Sequence, residues 1–345
     1  MLFEFTAEQY GFRDAVRSLL AREMTAARLR AAWESGHAYE SDIWPSLVSL
    51  GLPGLVVPTN AGGEGGSLID LALPLEEFGY RCLPEPVVET LVIVPSVIAQ
   101  YGSSDMASGW LDHLQSGRSQ AATSLSAGSL VPEGARAAVV LVREGTDLHL
   151  VPRERIASRP VDAMDPTRRL AECAFAMDTS TLLTRDPAAA AYAYDLGAAA
   201  TASILVGISQ YLLDSTRDYL LERKQFGVLI GTFQALKHRL ADVAVATEAA
   251  RSLCWNAAYS LSIRDESESI AASIAKGAAS HAAHLANSAA LQLHGGIGFT
   301  WEHDLHLWLQ RGQALEFAFG SAIDHRTSVA DHALAQTAPL SPFIV

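Results

Sequence analysis

Between two long helical patterns stands the stretch Arg223-Lys224-Gln225-Phe226-Gly227, followed closely by Gly231-Thr232-Phe233-Gln234. Together these residues place a guanidinium, side-chain amides and two phenylalanine rings on a glycine-broken loop. A guanidinium at a helix end pairs with phosphate oxygens, loop glycines admit close backbone approach, and a following helix start adds its positive pole. The chemistry on offer is the binding of a diphosphate. An Arg-Lys pair before a glycine turn also serves as an ordinary helix C-terminus complementing the dipole, and the stretch alone does not separate the two readings. A second element favours the first: Gln292-Leu293-His294-Gly295-Gly296-Ile297-Gly298-Phe299, another glycine-rich helix terminus with a side-chain amide just before it.

Other residues invite chemistry and are read more plainly. His303 and His306, and likewise His281 and His284, have the i, i+3 spacing that puts two imidazoles on one helix face. No cysteine or carboxylate is anchored to complete either set, so they are read as surface or core histidines and no metal is expected. Trp301 and Trp308 read as core or interface residues on one face of the same helix. The glycine cluster Gly62-Gly63-Glu64-Gly65-Gly66 is not followed by Lys-Ser/Thr, so it reads as a turn before a helix beginning near Ser67. Cys82, Cys173 and Cys254 are far apart in sequence and fit reduced, buried thiols.

The chain of 345 residues carries a net charge of -13, which argues against nucleic acid or an anionic membrane as partner. An anionic small molecule needs only two or three well-placed donors and is compatible with that balance. The first residues lack a basic segment followed by an apolar one, so no secretory signal is read there and a cytoplasmic location is expected.

The positioning elements are mostly helical. Residues 1–118 read as an N-terminal helical domain: Thr6 caps a helix with apolar positions Phe12, Val16, Leu19 and Leu20, and Trp44, Leu47 and Leu50 form a second stripe. Leu71 through Phe78 continues as helix, Pro84-Glu85-Pro86 breaks it, and an apolar segment runs from Thr90 to Tyr101. Residues 119–185 read as a reduced β middle domain. Ala137–Val142 and Leu148–Pro152 make a hairpin, and Ala171–Ala176 is a third strand. Residues 186–345 read as a four-helix bundle domain. Asp186-Pro187 opens a helix to Glu222; others span about Thr232–Ser262 and Glu266–Leu293, the latter stopped by Gly295. Thr300 is expected to cap a short helix through Trp308, and Ile323–Ala335 forms the last.

With these elements in place, Arg223…Gly227, Phe233-Gln234 and Gln292…Phe299 resemble the corresponding stretches of the flavin-dependent acyl-CoA dehydrogenases. Further likeness lies in Trp44…Leu50-Gly51-Leu52, Gly62-Gly63…Gly65-Gly66 and Glu76-Glu77-Phe78-Gly79. The resemblance implies that fold, FAD as cofactor and α,β-desaturation of an acyl-CoA thioester. In the family a glutamate takes the α-proton while the flavin takes a hydride from the β-carbon. The FAD lies across a subunit boundary, the neighbour holding its diphosphate and adenosine. Carried over, that neighbour's share falls on Arg223, Gln225, Phe226, Phe233, Gln234, Gln292, Gly295 and Gly296.

The other half of the site departs from the pattern. Phe319 stands at the family's usual base position before Gly320-Ser321, and Gly197 stands at the position a minority uses. Neither residue abstracts a proton. The middle region also lacks the segments that cradle the flavin ring; only Ala121–Ser126 remains. The combination resembles the shorter, base-less subunit of actinobacterial heterotetrameric dehydrogenases of the steroid side-chain type. That implies a catalytic partner subunit in an α2β2 heterotetramer, in which this chain completes the FAD site. Two alternatives stand beside it. One is a self-sufficient homo-oligomeric dehydrogenase with a displaced base, Glu316 or next Asp195; Glu316 reads more readily as a solvated or ion-paired surface carboxylate. The other is a flavin-free scaffold subunit, because bundle packing alone could account for the glycines.

Overall fold

A computed structural model describes residues 4–38, 42–102, 105–126 and 128–336. The chain is mainly helical, with two small β-sheets between an N-terminal group of helices and a C-terminal bundle. The N-terminal group comprises α1 (Ala7–Glu23), α2 (Ala26–Ser35), α3 (Trp44–Ser49), α4 (Leu68–Tyr80), α5 (Val94–Tyr101) and α6 (Asp105–Gln115). Thr6 caps α1 in a reciprocal box with Gln9, which removes two orphan donors from its first turn. Before α5 the backbone widens into a π-helical turn, Val88–Ile93, a geometry common near functional sites.

The middle region holds more strands than the three read from sequence. β1 (Ala121–Ser124), β3 (Val139–Glu144), β4 (Asp147–Pro152) and β7 (Leu182–Thr184) form one sheet in the order β1-β3-β4-β7. β2 (Leu130–Pro132), β5 (Ile156–Pro160) and β6 (Leu170–Phe175) form the other, in the order β2-β6-β5. The hairpin and the strand near Ala171 are present; β1, β2, β5 and β7 are additional. Those four are short and weakly patterned, and β2 and β7 pair with strands remote in sequence, Val131 with Ala171 and Thr184 with Leu148. A small core of Ala122, Val131, Val140, Val151, Ile156 and Cys173 fills the space between the sheets.

The bundle consists of α7 (Pro187–Glu222), α8 (Gln234–Ile263), α9 (Glu268–His294), α10 (Leu305–Glu316) and α11 (Ala322–Gln336). Asp186 caps α7 by accepting from the Ala188 N–H, with Pro187 at the first helical position. At 36 residues α7 is long and apolar enough to cross a membrane, yet 83% of its most apolar window is buried within the protein. It is the central core helix, packed on α4, α8 and α9. Its crossing with α4 is backbone against backbone. A methyl group on Gly207 would fall 1.9 Å from the Glu76 carbonyl oxygen, and one on Gly79 would fall 2.0 Å from that of Ile204.

The segment after α9 differs from expectation. Gly295, at φ 63°, does end α9, but Thr300 caps nothing; its hydroxyl donates to the Ile297 carbonyl at 3.0 Å, and helix resumes only at Leu305. Arg30 of α2 is responsible. Its guanidinium donates to the carbonyls of Trp301 and Glu302 and pairs with Asp304, which holds 301–304 outside a helix. Trp301 and His303 therefore do not share a helix face with Trp308 and His306. Trp301 is exposed, whereas Trp308 is buried and stacked on Tyr211 with ring centroids 3.7 Å apart.

Candidate functional site

The predicted diphosphate-binding residues gather at one end of the bundle, where α7 ends, α8 begins and α9 ends. Arg223 is the C-cap of α7, its N–H donating to the Tyr219 carbonyl at 2.9 Å. Its guanidinium is exposed and has no partner among the described residues. The next residues form a miniature hairpin, β8 (Lys224–Gln225) against β9 (Val228–Leu229), with Phe226-Gly227 as its two-residue loop. Both loop residues have positive φ, 53° and 79°. Two such residues in succession make the type I′ geometry suited to a tight hairpin. Glycine occupies that region freely; a phenylalanine there costs on the order of 1 kcal/mol. The ring so displayed is 91% exposed and meets Phe233 edge-on at 6.3 Å. A strained backbone that pushes an apolar ring into solvent makes sense when something outside the chain covers it.

Gln234 begins α8 and is exposed, as is Gln292 in the last turn of α9. Gln225 is exposed, and its amide donates to the carbonyl of its neighbour Lys224 at 2.8 Å. The two halves of the cradle are registered by His294, buried and stacked on Tyr219 with centroids 4.5 Å apart, one turn before Arg223. Its Nδ1–H donates to the Ala290 carbonyl, and burial lowers its pKa below the ordinary histidine value. Beyond it, a methyl group placed on Gly295 or Gly296 would meet nothing within 4 Å. Gly295 is explained by its positive φ. Gly296 is not: its φ is ordinary and the space above it is open, so nothing among the described residues requires glycine there. Bundle packing does not account for it.

The two positions at which the resemblance would place a base are arranged quite differently. Gly197 on α7 faces the ring of Phe319, and a methyl on Gly197 would lie 2.4 Å from two ring carbons. Each position has been filled by the other. Asp195 is buried on the same helix and its pKa is pushed up to about 6, chiefly by burial. Glu316 is half-buried with its carboxylate 3.7 Å from His284 Nδ1, an ion pair when that imidazole is protonated, and it does not line the cavity beneath Phe319. Burial raises its pKa while His284 and Lys276 oppose the shift.

That cavity measures about 50 Å³ and is bordered by Glu89, Arg168, Thr201, Ile204, Arg311 and Phe319, among others. Sequence reasoning missed its charged groups. Glu89 sits in the π-helical turn, 9% exposed, with its pKa raised by burial and partly restored by Arg168. Arg311 of α10 is buried, pairs with Asp165 and donates to the Leu83 carbonyl, tying the three regions together. The signal for Glu89 was a lone carboxylate inside the apolar run from Val87 to Ile98. Among the described residues, no group of three or more His, Cys, Asp or Glu side chains is arranged to hold a metal. All three cysteines are buried and unpaired.

The family follows from comparison with known proteins. The model for "Acyl-CoA dehydrogenase, C-terminal domain" matches residues 166–334, and that for "Acyl-CoA dehydrogenase, N-terminal domain" matches residues 6–118. The chain is 34% identical over 305 residues to acyl-CoA dehydrogenase IpdE2 of Mycobacterium tuberculosis, covering 88% of this chain and 90% of that one. It belongs to the acyl-CoA dehydrogenase family. Among solved structures, a chain of the ChsE4-ChsE5 complex from Mycobacterium tuberculosis superposes with a TM-score of 0.88 at 21% identity, covering 98% of this chain and 100% of that one. A chain of the Tcur3481-Tcur3483 steroid ACAD gives 0.84 at 26% identity over 95% and 98%. The chain is thus similar to a steroid acyl-CoA dehydrogenase in fold and to IpdE2 in sequence.

Proposed function

We propose that this chain is the non-catalytic subunit of an FAD-dependent acyl-CoA dehydrogenase, two copies of which assemble with two of a catalytic subunit. Its part is to complete the partner's cofactor site. The carrying observation is the pairing of Arg223, exposed and unpartnered among the described residues, with Gly296, whose lack of a side chain nothing among those residues explains. Residues of this kind fit the diphosphate of a dinucleotide: the guanidinium would neutralise charge, and the open glycine would let phosphate or ribose lie against the backbone. Gln234 and Gln292 would offer amides to the adenosine, and Phe226 and Phe233 an apolar wall. Gln225, exposed on the hairpin, would offer a further amide.

When bound, FAD accepts the hydride from the β-carbon of the thioester. The residues described above neither donate to nor take a proton from the acyl group. They bind and orient the dinucleotide and exclude water from its phosphate end. The two solved complexes named above are each described by two components, which supports a two-subunit assembly, and the steroid description of one supports a steroid side-chain CoA as substrate.

Co-expression with a full-length catalytic homologue, followed by an absorbance spectrum, tests this reading. The complex is expected to be yellow and active, and this chain alone colourless and inactive. Glu89 gives the self-sufficient alternative its own observation, because that carboxylate borders the cavity under Phe319. A yellow preparation of this chain alone that oxidises butyryl-CoA, and loses that activity in Glu89→Gln, would replace the proposal.

A further inference from the structure

Residues 316–320 make a turn whose backbone is gripped from several sides. Lys276, on α9, is fully buried, and its ammonium donates to the carbonyls of Glu316 at 2.9 Å and Gly320 at 3.0 Å and to the Ser280 hydroxyl at 3.1 Å. His325, on α11, is also buried; its Nε2–H donates to the Phe319 carbonyl at 2.7 Å while Nδ1 accepts from Ser273. Three carbonyls of one short turn are thus held from two helices. The turn needs holding, since Phe319 and Gly320 are at φ 53° and 92°. That is the left-handed region, which a bulky side chain adopts only under constraint. Glycine is forced at 320, where a methyl would lie 2.4 Å from the Tyr194 hydroxyl. The outcome of all these contacts is one placement: the Phe319 ring against Gly197, with Tyr194 edge-on to it at 6.3 Å.

We infer that the 316–320 turn is a built stopper, in which Lys276 and His325 are positioning residues that keep Phe319 seated on Gly197 and so shut this chain's own acyl crevice. What remains beneath the ring measures about 50 Å³. That is room for a few water molecules and not for an acyl chain. Loss of the base and closure of the crevice are then one structural change: the side chain that replaced the acid occupies the space its substrate would need. That meaning of the crevice rests on the function proposed above; the interlock itself does not.

The test compares four full-length chains: wild type, Gly197→Ala, Phe319→Ala and the double variant. In a helix interior Gly→Ala normally stabilises, so the sign is diagnostic. Gly197→Ala is expected to lower Tm by about 5 °C or more in the wild-type background and to raise or leave it unchanged when Phe319 is already alanine. Equal losses in both backgrounds overturn the interlock. For the positioning residues, Lys276→Met, or His325→Asn if the first does not fold, is expected to speed amide exchange in residues 316–321 about tenfold relative to the rest of α10 and α11. A uniform increase across the bundle would reduce them to general stabilisers and overturn that role. Equilibrium dialysis of the wild-type chain against butyryl-CoA is expected to find no saturable binding, and saturable binding overturns the closure. A complex lacking FAD would instead defeat the proposed function while the Gly197–Phe319 result stood on its own.

Discussion

Two places in this molecule set phenylalanine and glycine side by side, and they are opposites. At the Arg223 end of the bundle, Phe226 is thrust into solvent by a strained hairpin, and Gly296 looks into open space. At the 197/319 site, the phenylalanine ring lies on the glycine and the surrounding charges are buried. In the first, the described residues leave an exposed ring and an open glycine uncovered. In the second the fold fills the space itself and leaves a cavity of about 50 Å³. A glycine is informative only with its surroundings: an empty environment points outward to a partner or cofactor, and a filled one points inward to packing.

The strongest way to break this contrast is to attack what seals the closed end. Arg311 is the buried partner of Asp165. Arg311→Met strands that carboxylate, so a loss of about 3–5 kcal/mol is expected in urea unfolding, with no direct effect on the cradle. Next comes pH. Burial pushes the Lys276 pKa down to about 7, well below its ordinary value. Above pH 7 the unfolded chain therefore holds a proton at this lysine that the folded one releases, and the lysine's contribution to stability should rise with pH until the unfolded lysine also titrates. The three buried thiols, raised by burial, act in the opposite direction, so the slope is read as the difference between wild type and Lys276→Met, which would approach about 1.4 kcal/mol per pH unit. Unfolding curves between about pH 7.5 and 9.5 measure it.

At the open end the expected pattern reverses, with function affected and stability spared. Arg223→Ala should weaken FAD retention in the complex by about 2–3 kcal/mol while leaving the Tm of the chain nearly unmoved. Unchanged flavin content after extensive dialysis would remove Arg223 from the role. The smallest effect on folding belongs to Gly296→Ala, whose methyl would enter free space. Its stability is expected to stay close to wild type, with a change of about 0.5 kcal/mol at most. The same variant should lose FAD if a phosphate or ribose lies against that backbone. Retention of flavin would mean the glycine serves something else.

The open end was also the more legible one. Arg223, Phe233, Gln234, Gln292 and Gly295 sit at helix termini, and termini announce themselves through caps, glycines and the end of an apolar period. The Gln225 amide is exposed as expected, and its bond to the neighbouring Lys224 carbonyl is a detail that no residue pattern announces. The closed end was legible only as an absence, two positions without a carboxylate. Their contact, the Lys276 clamp and the place of Glu89 in the cavity wall were not, because each joins residues far apart along the chain.

By itself the sequence determined the long helices of the bundle, since Asp186-Pro187, the terminal glycines and the apolar spacing are local instructions that a helix obeys within a turn or two of itself. It also determined the family. Only the tertiary structure decided the four extra strands, of which β2 and β7 exist through hydrogen bonds to partners far along the chain. It alone moved the start of α10 to Leu305, through an arginine from the other end of the chain. It alone set the Phe319 ring on Gly197, because whether a glycine faces emptiness or a neighbour depends on what the rest of the fold brings against it.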